Sequence, residues 1–584
     1  TLTKAGEGTL VLSGANRNGS VQLQAGVLQL EGGDALEDAT LVTLSAYQPT
    51  TLRLLNSETI GRLAGGNAAT DSTYGLVDIG SKVLTLRPTA SSSYAGQVTG
   101  TGTIVKNGLV VETTVTGISS GFSGLLRINQ AGFAMSGVGA IGATRIEVNG
   151  AGFLLINNNG DTRSNTRIPD STPLVLNSAA GTRFNETLIR GVWLTADRNV
   201  TISETIGDLI FGSGTSYISG NATGTTGVAG LIAADFVRQN GATAVIRGRA
   251  LGATSGDRNI VRIGNAAADA AFVAGMTGGA GAAGTSTISI IPWMVGETLS
   301  AGYADANMGN SLMTYVTGVT LRPLNLSTEY ASYATAGATN NTREVLTGDT
   351  AGLVGRTLNS LTLHASNAVA TTYALTGTGA GQSLTNASGA FLFTLNPAST
   401  NSAVSRIDFS GFDDGLLVGG SEYLFHVQNP STAVNAGTLV IGVASPLASA
   451  ADIVKSGRGT LILQGANLAG GGARRTVLNE GVLEIADLDA IGGDAGSVIF
   501  AGGTLRFGSG FTDDLFGRNI TILEGGMGLD TNGASQVLAM PLGTGVGRIS
   551  KYGDGDLILN AAISNGGPVL VAGGRIVFGV PRAP

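Results

Sequence analysis

The feature that most constrains this chain is a repeat that keeps its phase over a long stretch. It begins as Leu2-Thr3-Lys4-Ala5-Gly6-Glu7-Gly8-Thr9-Leu10-Val11-Leu12 and returns as Ile453-Val454-Lys455-Ser456-Gly457-Arg458-Gly459-Thr460-Leu461-Ile462-Leu463. It returns again as Ile549-Ser550-Lys551-Tyr552-Gly553-Asp554-Gly555-Asp556-Leu557-Ile558-Leu559, with a weaker copy at Ile104-Val105-Lys106-Asn107-Gly108. Some 22–26 residues after each Lys, a Gly opens another strand: Gly26, Gly132, Gly481 and Gly573. Then come Asp34-Ala35-Leu36, Gly139-Ala140-Ile141 and Asp489-Ala490-Ile491. A third strand follows at Thr51–Leu54, Gly152–Ile156 and Gly503–Phe507, and a further matched pair is Arg198–Ile202 and Arg518–Ile522. Self-similarity of this length is the mark of a repeat architecture.

The repeated strands are short and alternate, so that Leu10 and Leu12 share one face. Gly, Asn, Asp and Ser punctuate them and supply turns. Asp197 or Asp487 could cap a turn, but no long helical face follows either. Strand–turn units every 20–25 residues without crossover helices predict coil stacked on coil, each strand parallel to the one a turn below. At about 22 residues and about 4.8 Å per coil, the chain would make a rod of about 26 coils, about 125 Å long. The expected fold class is therefore all-β: a right-handed parallel β-helix, or β-solenoid, elongated, with a thin core that grows in length.

Composition agrees. Charged residues are 12% of the 584, about half the roughly 25% of an ordinary globular chain. A 42% hydrophobic share is too high for disorder, and one round core rarely passes about 250–300 residues. The net charge of −7, with scattered Lys and Arg, disfavours nucleic acid. No apolar run reaches about 18 residues, so no membrane span is expected. With no Cys there is no disulfide framework. The abundance of Gly, Thr, Ser and Asn with little Lys fits a chain exported unfolded. Thr1 is no start site and no signal peptide is in view, so a processed or partial chain is expected.

The stretch from about 240 to 450 reads differently. It holds the loop-like tracts Ala266–Ala283 and Ser300–Asn310 beside the strand patterns Phe391-Leu392-Phe393 and Ile407-Asp408-Phe409, and Trp293 lies in it. The division expected is 1–240 and 451–584 as β-solenoid with strand repeats, and 241–450 as solenoid with long loops or a β-rich side lobe.

The motif resembles the autotransporter-associated strand repeat of bacterial passenger proteins: Leu-x-Lys-x-Gly-x-Gly-x-Leu-x-Leu-x-Gly-x-Asn, a short insert, then x-Gly-x-Leu. The copy from Leu2 to Leu28 matches, including Ser13-Gly14-Ala15-Asn16, and so does Ile453 to Leu483, including Gln464-Gly465-Ala466-Asn467. The third copy departs at Asn560-Ala561-Ala562. Ile288–Gly296, followed by Val319–Leu324, is similar to giant repeat surface proteins of planctomycete and verrucomicrobial type. The resemblance implies a right-handed parallel β-helix, export and a place on the cell surface.

No catalytic residue is expected. A glycoside hydrolase needs two positioned carboxylates. The candidates, Asp413-Asp414 and Asp513-Asp514, lie in turn-like sequence where acids cap backbone N–H groups. His364 and His426, the two His of the chain, lie in strand patterns, which argues against a triad and against zinc. Tyr552-Gly553-Asp554-Gly555-Asp556 is the nearest thing to a calcium turn, and its alignment with the repeat favours a structural role. No metal, cofactor or cofactor-binding residue is expected. Lys4, Lys106, Lys455 and Lys551 are expected at one corner per repeat, stems packed and ammonium groups in water.

These readings predict a non-enzymatic extracellular structural or adhesive protein of the bacterial surface, a building block of a fibre, sheath, biofilm or surface layer. The alternatives are a carbohydrate-active β-helix enzyme and a glycan-binding adhesin passenger. Thr1-Leu2-Thr3 and Ile576-Val577-Phe578 lie in repeats without a polar cap. The expected partners are therefore further copies, stacked end to end or laterally into a filament, with extracellular glycans or matrix as the other candidates.

Overall fold

The computed structural model describes the chain except residues 68, 109–110, 181–190, 198, 300–308, 368–370, 397–405, 430–436, 468–472, 494, 514–517, 540, 562 and 580–584. Arg198, Asp514, Ala562 and most of Ser300–Asn310 thus lie outside the described residues. The described chain is almost entirely β, with one α-helix. None of its helices is long and apolar enough to cross a membrane.

Alternation builds the strands. In Thr504–Phe507, Leu505 and Phe507 are buried and their neighbours half-exposed. Each strand then pairs in parallel with one about a repeat further on. Thr460–Leu463 pairs with Val482–Ile485, which pairs with Thr504–Phe507, so that Leu461, Leu483 and Leu505 stack in register. Burying one such Leu contributes about 2 kcal/mol. A register slip of one residue would turn every one of them outward.

The strands form two parallel ladders. The first runs from Leu2 to Leu299 around a core spanning Val21 to Leu321, and the second from Asn341 to Phe578 around a core spanning Tyr333 to Leu559. The change of ladder falls inside the stretch that read differently. There the parallel strand Ile291–Leu299 meets Ser311–Val316, and that strand meets Thr320–Pro323, both antiparallel. Thr320 Oγ1 closes on Val261 N at 2.9 Å. The helix Ala266–Ala274, N-capped by Asn265, sets Phe272 edge-on to Phe236 and Tyr315. The turnaround is fixed by Glu329, a buried carboxylate that accepts from both terminal nitrogens of Arg322 and from Gly284 N and Asn325 N, each at 2.7 Å.

Beyond the turnaround the second ladder runs back along the first. Gly150 lies near Glu524, Ser178 donates to Ala501 O, Thr215 meets Ser456 at 3.2 Å, and His426 meets Pro292 O at 2.9 Å. One position thus rises as its partner falls. Strands at this seam are buried on both faces: every residue of Ala390–Leu395 is buried, unlike the alternating strands elsewhere, in which every second residue is only half-buried. That is why the middle of the chain lacks clean alternation. The single rod expected from the repeats is folded back on itself, because the outward residues of these strands, such as Tyr217, Val245, Leu392 and Leu424, are apolar and cover one another.

Candidate functional site

The repeated lysine faces inward. Lys106, Lys455 and Lys551 are fully buried and Lys4 nearly so, against the expectation of ammonium groups in water. The reason is the tight turn that follows. Gly6, Gly457 and Gly553 adopt φ of 74°, 74° and 77°, which aims turn carbonyls into the ladder, and a buried carbonyl needs a donor. An ammonium carries three. Lys455 Nζ donates to Ser456 O, Gly457 O and Glu480 O at 2.9, 2.6 and 3.0 Å. Lys4 Nζ donates in the same way to Ala5 O, Gly6 O and Ala25 O at 3.1, 2.5 and 2.9 Å. Lys551 Nζ takes Tyr552 O, Gly553 O and Gly573 O at 2.6, 2.7 and 3.1 Å. Two bonds close the turn and the third ties it to the next rung. The weaker copy is looser: Lys106 reaches Asn107 O at 3.4 Å and Gln130 O at 3.3 Å. Burial pushes the Lys106 ammonium down to about 8, with Glu112 pulling the other way.

The other repeated residues meet at the same turns. An added Cβ at Gly481 would lie 2.3 Å from Gly457 O and 2.5 Å from Gly459 O, so the rung above needs glycine there. Asn16 Nδ2 donates to Ala35 O at 3.2 Å and Asn467 Nδ2 to Ala490 O at 2.6 Å. These bonds join the Asn of one motif segment to the Asp-Ala-Leu/Ile segment of the next. A file of asparagines climbs the first ladder, with Asn129 donating to Asn107, Asn149 to Asn129 and Asn177 to Asn149 at 3.0, 2.9 and 2.9 Å.

At Lys455 the repeat meets the seam. Glu480 caps the lysine with its backbone, while its carboxylate reaches the other ladder and accepts from Tyr217 Oη, 2.9 Å from each oxygen. Burial raises the Glu480 carboxyl, against the pull of Arg458, Tyr217 and Lys455. Nearby, Arg238 pairs with Glu422 at 2.6 and 3.2 Å and lies over the Trp293 ring. Asn479 Nδ2 donates to Gly241 O at 2.8 Å. Sequence reasoning missed these seam residues. Their signal is apolar or small side chains at both parities of one strand.

The catalytic candidates are not brought together. Asp413 and Asp414 sit exposed in a turn, and Asp513 accepts from Leu488 N at 3.2 Å. His364 Nδ1 meets Thr394 Oγ1 at 2.9 Å, on the second ladder, and His426 is enclosed in the seam. Its Nε2 meets a carbonyl, so the proton sits there, and its buried Nδ1 has no partner. Burial pushes His426 down to about 4, and Arg238 and Lys455 push the same way. Burial and Arg343 likewise push His364 down to about 4. Asp556 is paired with Arg575 at 2.7 Å. Among the described residues no group of three His, Cys, Asp or Glu is placed to hold a metal. Asp487 accepts from Ala490 N at 3.1 Å and caps a short turn.

The passenger-associated-transport-repeat family matches residues 2–30 and 453–485, the two copies with the tightest Lys–Gly–Asn agreement. The chain is also similar to the adhesin BmaC autotransporter of Brucella suis biovar 1 (strain 1330), 30% identical over 164 residues, which is 26% of this chain and 5% of that protein. It thus spans a small part of its curated relative's length. No solved structure matches it significantly. The chain thus carries two copies of the passenger-associated-transport repeat, one on each parallel ladder, and is similar over about a quarter of its length to an autotransporter adhesin.

Proposed function

We propose that this chain is the extracellular, structural and adhesive part of a bacterial surface protein. The observation that carries the reading is the similarity to an adhesin in a chain whose strands repeat in parallel register. We read the ladders as right-handed β-solenoids, in keeping with the twist of strands and the hand of parallel connections. Their role is mechanical: backbone bonds shared from rung to rung, with lysines closing the turns, resist local opening and proteolysis. Association of copies with one another is part of this proposal. Extracellular glycan or matrix is the proposed adhesion target.

The test is direct. Purified chain is examined by electron microscopy and sedimentation for association, and surfaces coated with it are probed with glycan arrays and matrix proteins. Self-association together with saturable binding is the expected result. A strictly monomeric protein that binds neither glycan nor matrix contradicts the reading. Cleavage of polysaccharide, lost in Asp413→Asn, would favour a carbohydrate-active enzyme instead.

A further inference from the structure

The two ladders are each held together differently from the way they are held to one another. Inside the second ladder, Thr460–Leu463 matches Val482–Ile485 residue for residue, and Ile453–Lys455 matches Thr476–Leu478. Several backbone bonds therefore join each pair of rungs. Across the seam one level is joined by one or two side-chain bonds, such as Thr243 to Ser456 at 2.9 Å or Asn479 to Gly241. Apolar side chains supplement them, Val245 and Leu392 in one cluster and Leu424, Val454, Val477 and Trp293 in another. Counted in hydrogen bonds alone, at a net ~1 kcal/mol each, each pair of rungs is joined more densely than one level of the seam.

The geometry loads that seam. The ladders run in opposite directions, so the segments beyond its open end leave on the same side, residues 1–149 from the first ladder and 525–579 from the second. The closed end is the turnaround, fixed by Arg322 and Glu329. Contacts along the seam pass from Gly150 and Glu524 through Ser178 and Ala501, then Tyr217 and Glu480, to Pro292 and His426.

We infer that the seam is a clasp released by tension: force drawn between the 1–149 arm and the 525–579 arm swings the ladders apart about the Arg322–Glu329 turnaround while strand pairing within each ladder is kept. Side-chain contacts open in sequence from Gly150 and Glu524 towards Pro292 and His426, each taking the load after the one before it. With about ten rungs of ~4.8 Å in each ladder, the two free arms pass from side by side to about 100 Å apart. Opening uncovers Leu424, Val454, Val477 and Trp293, which the closed seam buries or half-buries. The inference concerns the joint between the ladders and stands whether or not the chain binds glycan or matrix.

Single-molecule force spectroscopy on the full chain, held by peptide handles at its two ends, tests this. The protein has no cysteine, so T243C/S456C places one disulfide across the seam. The reduced protein should show a first lengthening of about 100 Å at lower force than any later step, and oxidation, which moves the pivot from Arg322–Glu329 to the disulfide, should shorten that step. The same assay on Y217F/E422Q, which needs no disulfide, should lower the force of the first step and leave later steps unchanged. A first step that persists unaltered in the oxidised protein overturns the inference, and so does a first-step force in Y217F/E422Q equal to that of the parent.

Discussion

Tyr217 and Glu480 stand 263 positions apart, and the Tyr217 hydroxyl donates to the Glu480 carboxylate, 2.9 Å from each oxygen. The same glutamate offers its backbone carbonyl to Lys455. The repeat's internal cation and the joint between the ladders therefore share one residue. Tyr217→Phe removes the hydroxyl from a buried carboxylate, and a hydrogen bond to a charged group contributes roughly 1.5–3 kcal/mol. Denaturant unfolding should show about 2 kcal/mol of lost stability.

Lys455→Met keeps the length of the side chain but leaves the carbonyls of Ser456, Gly457 and Glu480 without their donor. Burial of orphaned polar groups costs roughly 1–3 kcal/mol each, partly relieved by relaxation. The expected loss is about 4 kcal/mol, read as a lower unfolding midpoint. Lys106→Met, whose bonds are longer, should cost less than half as much.

Glycine at the stacked turn gives a contrast free of side-chain chemistry. Gly481 and Gly510 both have positive φ, 71° and 81°. A Cβ at Gly510 meets nothing within 4 Å, whereas at Gly481 it strikes two carbonyls. Gly510→Ala should cost about 1 kcal/mol, the backbone penalty alone. Gly481→Ala should cost several times that in the same unfolding assay.

The histidines and one glutamate set opposite pH dependences. His426 titrates at about 4 in the fold against 6.5 unfolded. The unfolded chain thus binds the extra proton, and stability falls as pH drops from about 6.5 towards 4. Between pH 7.5 and 5.5 that loss is about 1 kcal/mol. Burial raises Glu204 to about 7 from 4.5, so there the fold binds the extra proton and stability falls as pH rises through that range. Unfolding at the two pH values should show His426→Gln losing the acid-side penalty and Glu204→Gln losing the alkaline-side one.

Much of this was legible in the residues. The in-phase repeats located the stacked leucines and the Gly-rich turns, whereas the bond from Asn467 to Ala490 is visible only in the fold. The inward direction of the lysine differs from the expectation. Charged side chains are almost never fully buried unless paired, yet Lys4 shares the parity of Leu2 and so points inward. The seam left only a trace, the loss of alternation in Ala390–Leu395 and Glu422–Val427. Such a pattern shows that both faces are covered without naming the cover, because the covering residues, Tyr217 and Val245 among them, lie far away in the chain. The anchored turnaround at Arg322 and Glu329 was invisible for the same reason, since a buried pair seven residues apart looks like any surface pair in sequence.

The central claim is that the chain is two parallel ladders lying side by side and not one continuous rod. Small-angle X-ray scattering, extrapolated to zero concentration at monomer mass, measures the difference through the maximum dimension. At ~4.8 Å per rung, the folded-back pair predicts a maximum dimension below about 80 Å. A value above about 110 Å would contradict it and restore the single rod.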